Sequence, residues 1–107
     1  MLEPTEKAVQ TAVIDHWKAF GVPGSLVAAI PNARAHGQPG LCKGLFDLLT
    51  LSPTKGVGFI ELKTSRGRLS YEQRWFQMLC EKAGVPAVVC RGRDEPIAVL
   101  REWGVIR

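Results

Sequence analysis

A chain of 107 residues, 46% hydrophobic and 22% charged, suits a single domain spanning residues 1–107 and leaves no room for two. Fourteen Lys and Arg against ten Asp and Glu leave a net charge of +4, which is compatible with a polyanionic partner without requiring one. The N-terminus MLEPTEKAVQ has no apolar signal core and no stretch approaches the ~20 apolar residues of a membrane span, so a soluble, cytoplasmic protein with no membrane partner is expected.

The elements follow in chain order. Thr5 or Glu3 caps a first helix with Pro4 near its first turn, and Val9, Val13, Trp17 and Phe20 recur at helical spacing as far as Gly21 and Pro23. SLVAAIP, residues 25–31, is a short apolar strand stopped by proline. PNARAHGQPGLCKG, residues 31–44, is a Gly- and Pro-rich loop carrying Arg34, His36 and Lys43; loops of this length inside small domains are often functional. LFDLLTL (45–51) and VGFIELK (57–63) are strands joined by the turn SPTKG into an antiparallel hairpin. After the basic turn TSRGR, Ser70 caps a second helix with Gln73 three residues on, and Tyr71, Trp75, Met78 and Leu79 form its apolar stripe. Gly84 ends that helix, VPAVVC (85–90) is a further strand, and Asp94 opens a short last helix through Trp103. The order αβββαβα predicts an α/β domain, a central sheet with helices on both faces. Cys42, Cys80 and Cys90 are odd in number and dispersed, with no CxxC, and His16 and His36 lie twenty residues apart. They read as ordinary thiols, and no zinc site is expected.

Glu61 and Lys63 stand out. Residues i and i+2 of a strand share a face, so an acid and a base point together from a segment whose neighbours Phe59, Ile60 and Leu62 are apolar. An isolated charge in a dry sheet costs several kcal/mol and needs a partner or a metal. The bland explanation is a surface ion pair on an edge strand. Three residues argue against it, each with an ordinary explanation of its own. Asp47 is a second acid in the neighbouring strand, or else a turn residue after Gly44. Glu6 shares the buried side of the first helix, or else only complements the helix dipole. Gln73 is a third, although Ser70 and Gln73 already make a capping box. Two carboxylates on adjacent strands can converge on a hard divalent cation.

Asp47, thirteen intervening residues and then Glu61-Leu62-Lys63 make a D…ExK pattern that resembles the PD-(D/E)XK nuclease superfamily. The whole chain is similar to a stand-alone VRR-NUC domain, the virus-type replication–repair nuclease module. The likeness runs through Glu6 with Gln10, Asn32, GLCKGLFDLL, FIELK, GRLSYEQRWF and AGVPAVVC. Phe46 departs from it, standing where the superfamily usually has proline; that position shapes backbone and binds nothing. The resemblance implies a restriction-endonuclease-like core with a mixed central sheet. It implies that Asp47 and Glu61, with Glu6 and the Leu62 carbonyl, hold Mg²⁺ or Mn²⁺. Lys63 then serves the attacking water or the developing charge, and Gln73 steadies Lys63 or the water. Arg34, His36, Lys43, Arg66 and Arg68 are candidate phosphate contacts, or else solvated loop charges. The activity implied is that of a metal-dependent DNA endonuclease selective for flaps or four-way (Holliday) junctions, in phage or repair metabolism, located in the host-cell cytoplasm if phage-encoded. A homodimer is expected, since two symmetric cuts need two sites, with Trp75, Phe76 and Trp103 as candidate interface residues. The alternatives are a non-catalytic nucleic-acid-binding module on the same fold and a small interaction protein whose charges are ordinary surface.

Overall fold

The computed structural model describes residues 2–31 and 38–107, so Asn32, Arg34 and His36 lie outside the described residues. Helix α1 (Glu6–Phe20) begins where the Thr5 hydroxyl accepts the Ala8 N–H, so Thr5 rather than Glu3 is the cap, and Pro4 precedes it. Val9 and Val13 are its buried residues, and the Trp17 indole N–H donates to Ser25 Oγ at 3.0 Å. Phe20 does not join that stripe. It is 49% exposed and rests on the His16 ring, because the chain turns at Gly21 before the helix could bury it.

Four strands, β1 (Leu26–Ala29), β2 (Leu48–Ser52), β3 (Gly56–Lys63) and β4 (Ala87–Arg91), form one sheet in that spatial order. The first three are antiparallel neighbours and β3 pairs with β4 in parallel, so the sheet is mixed as expected. A parallel pair needs a crossover, supplied here by α2 (Tyr71–Ala83), and α3 (Asp94–Glu102) follows β4. The element order is the one predicted.

Alternation along the strands separates two faces. On one, Val27, Leu48, Ile60, Leu62 and Cys90 meet α1 and α3 together with the C-terminal Val105 and Ile106, forming the main core. Gly58 lies on this face too, where any Cβ would collide with the Trp103 ring, so Trp103 packs on the core instead of offering itself to a partner. On the opposite face, Phe76 of α2 stands edge-on between Phe46 and Phe59, with ring centroids 5.4 and 5.1 Å away. Phe46, fully buried, therefore serves as a packing contact. Phe76 is likewise occupied within the fold.

The apolar stripe expected on α2 is out of phase. Its inward side carries Gln73, Phe76, Gln77 and Cys80, while Tyr71, Trp75, Met78 and Leu79 are exposed. The cause is local. Gln73 must face the sheet to bond Glu61, and Phe76 and Cys80, three and seven residues on, follow it inward. Gly44 fixes the same end of the helix from outside. At φ 96° it lies against the Glu72 backbone, leaving no room for a side chain.

Candidate active site

Asp47 lies one residue before β2 rather than within it. Its carbonyl accepts the Ile30 N–H at 2.8 Å, which anchors the backbone at the sheet margin. Its side chain crosses to β3, where Oδ2 accepts the Leu62 N–H at 2.8 Å. Glu61 answers in the other direction, its Oε1 accepting the Asp47 N–H at 3.1 Å. Two backbone donors thus hold two carboxylates side by side at the end of β3. In a strand, the N–H and C=O of one residue point to the same side, so the Leu62 carbonyl is also directed towards Asp47. The Leu62 side chain is buried in the core.

Glu61 is 2% exposed and bonded on every side. Its Oε2 accepts Gln73 Nε2 at 2.9 Å and lies 3.4 Å from Lys63 Nζ. Burial, and then the Asp47 carboxylate, push its carboxyl up to about 7, against the opposing pull of Lys63 and of the Asp47 N–H. Gln73 performs both of its candidate roles at once. Its Oε1 accepts the Ser70 N–H to close the capping box, and its amide nitrogen is left for Glu61. Glu6, exposed at the first position of α1, completes the group: one carboxylate oxygen from each of Glu6, Asp47 and Glu61 lies within 4.8 Å of the others.

Three carboxylates beside one ammonium leave excess negative charge, and one of them is buried. Oxygens that share a Mg²⁺-type ion at about 2.0–2.1 Å stand at most about 4.2 Å apart, so this donor set would take a Mg²⁺- or Mn²⁺-type ion after the carboxylates close by about half an ångström. The remaining predicted residues divide. Lys43, Arg66 and Arg68 are exposed on loops flanking the cluster in sequence, and Arg34 and His36 fall outside the described residues.

Sequence reasoning missed two residues that shape the loop after β3. Arg91, the register partner of Lys63 on β4, donates from one guanidinium nitrogen to the carbonyls of Thr64 and Gly67 at 2.7 and 2.6 Å. Glu3 accepts both the N–H and the hydroxyl of Ser65, at 2.7 and 3.1 Å. Together they pin the turn that follows Lys63. Backbone carbonyls carry no residue code, so no pattern in the sequence marks Arg91.

The double use of Gln73 gives a direct expectation. Gln73→Glu keeps an acceptor for the capping box but replaces the donor to Glu61 with a fourth carboxylate. Circular dichroism should show the helix retained. Catalytic rate should fall roughly 10- to 100-fold, the loss of a hydrogen bond to a charged group. An unchanged rate would reduce Gln73 to a cap.

Comparisons with known proteins agree with this architecture. The family model of the VRR-NUC domain matches residues 5–94. A solved structure described as a VRR_NUC domain protein is 24% identical, with a TM-score of 0.82 over 99% of this chain and 98% of that one. Another, described as a VRR_NUC domain, is 20% identical, with a TM-score of 0.68 over 92% and 96% of the two chains. No curated protein matches the chain.

Proposed function

The chain belongs to the VRR-NUC domain family, a nuclease-type fold, and on that premise we propose that it is a Mg²⁺- or Mn²⁺-dependent endonuclease that hydrolyses phosphodiester bonds in branched DNA. The observation that carries the reading is the convergence of Glu6, Asp47 and Glu61 within 4.8 Å, with Lys63 against Glu61. Acids facing a phosphate without a cation would repel it, which disfavours a purely DNA-binding module.

When bound, the cation supplies Lewis acidity: it offsets charge on the scissile phosphate and acidifies an attacking water. Glu6, Asp47, Glu61 and the Leu62 carbonyl would hold it. Lys63 keeps one side of its ammonium on Glu61 and has further N–H donors for a phosphoryl oxygen that gains charge as the new P–O bond forms. Gln73 fixes the Glu61 oxygen that Lys63 also contacts, so that acid and base keep one relative position. No helix among the described residues is long and apolar enough to cross a membrane.

The test is cleavage of end-labelled linear, flap and four-way-junction DNA. Cutting of the branched substrates with Mg²⁺ or Mn²⁺, and none with EDTA, supports the proposal. Metal-independent cutting, or none under any condition, contradicts it.

Exposed Arg66 and Arg68 are assigned to phosphate contact. Changing both to Gln should lower the slope of log affinity against log salt by about 2 for every DNA tested. An unchanged slope in fluorescence anisotropy titrations would mark them as ordinary surface.

Resolving a four-way junction takes two cuts, so the proposal includes a two-fold homodimer. Trp75 alone of the three aromatic candidates is exposed. A better surface is the half of the α2-side face over β1 and β2, where the register partners Leu26 and Leu51 are 36% and 39% exposed. Light scattering at micromolar concentration should return about twice 11.7 kDa, and Leu51→Asp should halve it. A wild-type monomer that cuts both strands of a junction in one encounter would exclude pairing.

A further inference from the structure

The outward side of α2 is unexplained by the fold and by the acid cluster. Tyr71, Arg74, Trp75 and Met78 recur at i, i+3, i+4 and i+7, so they share one face, and they line a shallow depression of about 220 Å³. Tyr71 is 76% exposed and Trp75 and Met78 about 40%, although Phe76 already supplies the aromatic packing this helix needs. Arg74 lies among them without an ion pair, since the one salt bridge among the described residues joins Lys63 to Glu61.

Two things indicate the occupant. The first is charge: Arg74 continues a run of exposed cations, Arg66 and Arg68, that leads from the end of β3 to the start of α2. The second is position. Gln73 bonds Glu61 from the inner side of the same helical turn whose outer side carries Tyr71 and Arg74, so this face lies about one helix diameter, ~10 Å, from the acid cluster, a span that one or two nucleotides cover. Cations that follow a phosphate backbone, beside aromatic rings open to solvent, are the physical requirements of a single-strand site, because every base has a face on which to stack. A second copy fits less well. None of the lining residues is an acid that could pair with Arg74 across an isologous contact.

We propose that Tyr71, Arg74, Trp75 and Met78 form a stacking platform for unpaired bases of the DNA strand whose backbone reaches the acid cluster, an inference that rests on the nuclease reading. Trp75 and Tyr71 receive the bases, Arg74 holds the adjoining phosphate, and Met78 closes the far end of the depression. The platform favours substrates with unpaired nucleotides beside the cut, such as flaps and forks, over continuous duplex.

The experiment measures binding alone, in EDTA, by fluorescence anisotropy on a labelled continuous duplex and on the same duplex ending in an unpaired oligo-dT arm. Wild type should prefer the forked DNA. Trp75→Ala should weaken forked binding about tenfold, the stacking contribution of one base, and leave duplex binding unchanged. Trp75→Phe, which keeps an aromatic face, should recover most of the loss, and forked DNA should quench tryptophan fluorescence in the wild type but much less in Trp75→Phe. Trp75 is only partly exposed, at 41%, so circular dichroism of both variants verifies that the fold is retained. Equal affinity for the two DNAs, insensitive to Trp75→Ala, overturns the platform and leaves the nuclease reading intact. Halving of the molecular mass by Trp75→Ala, with equal loss for both DNAs, assigns the face to a second copy and overturns the platform. Absence of binding to either DNA by wild type, in EDTA and again with Ca²⁺ added to offset the charge of the carboxylates, overturns the platform and the nuclease reading together.

Discussion

Asp47→Asn should all but eliminate cleavage and make the metal-free protein more stable at neutral and alkaline pH. The substitution keeps an oxygen for the Leu62 N–H and leaves the Glu61–Lys63 pair in place, so the backbone lock survives. It removes a negative charge facing the buried Glu61. Burial is the larger cause of that carboxyl's rise to about 7 and Asp47 the second, so the variant should move it part of the way back. The sign follows from linkage. A carboxyl raised from 4.5 to about 7 on folding binds more protons folded than unfolded between those values. Its contribution to stability is therefore intact below about pH 4.5 and lost as pH rises to about 7. Thermal melts of the wild type without metal should show that loss, and Asp47→Asn should show a smaller one. A gain on the order of 1 kcal/mol at pH 8 corresponds to a melting temperature higher by roughly 4–8 °C in a domain of this size. Cleavage should fall by roughly a thousandfold or more, since charge neutralisation by a cation is worth several kcal/mol. Mg²⁺ should raise the melting temperature of the wild type at pH 8 and no longer raise that of the variant. Loss of activity accompanied by a lower melting temperature would point instead to a structural role.

Lys63→Ala separates turnover from metal binding. Lys63 donates no lone pair to a cation, and the three carboxylates remain in place without it. Calorimetric titration of Mn²⁺ at pH 8 should therefore change by no more than a few-fold. Removing one preorganised donor at a site of developing charge costs roughly 10²–10³ in rate. Single-turnover cleavage should slow by that factor while DNA affinity stays within about twofold, because one of many phosphate contacts is lost. A variant with the wild-type rate would remove Lys63 from the chemistry.

Much of this was legible in the sequence because its signals are local. The alternation in FIELK, the Ser70–Gln73 capping pattern and the Pro and Gly stops depend on neighbours within a few residues, and each element appears where they put it. The pairing of Asp47 with Glu61 was inferable from two strands joined by a short turn. The phase of α2 was not. Tyr71, Trp75, Met78 and Leu79 make as good an apolar stripe as Phe76 and Cys80 do, and the choice is made by Gln73 reaching a carboxylate twelve residues earlier in the chain. Asp47 also sits outside the strand that its apolar neighbours suggested, since its N–H goes to a side chain instead of a ladder. The Arg91 and Glu3 contacts span 24 to 62 residues and serve backbone or hydroxyl groups, for which a sequence has no motif.

On the proposed function, Glu6, Asp47 and Glu61 hold a divalent cation where Lys63 can serve the same phosphate. Anomalous diffraction from crystals soaked in Mn²⁺ tests it most directly. A manganese peak is expected about 2.0–2.3 Å from carboxylate oxygens of Asp47 and Glu61 and within reach of Glu6, absent from crystals of Asp47→Asn. A peak elsewhere on the chain, or none at this cluster at millimolar Mn²⁺ and pH 8, would contradict it.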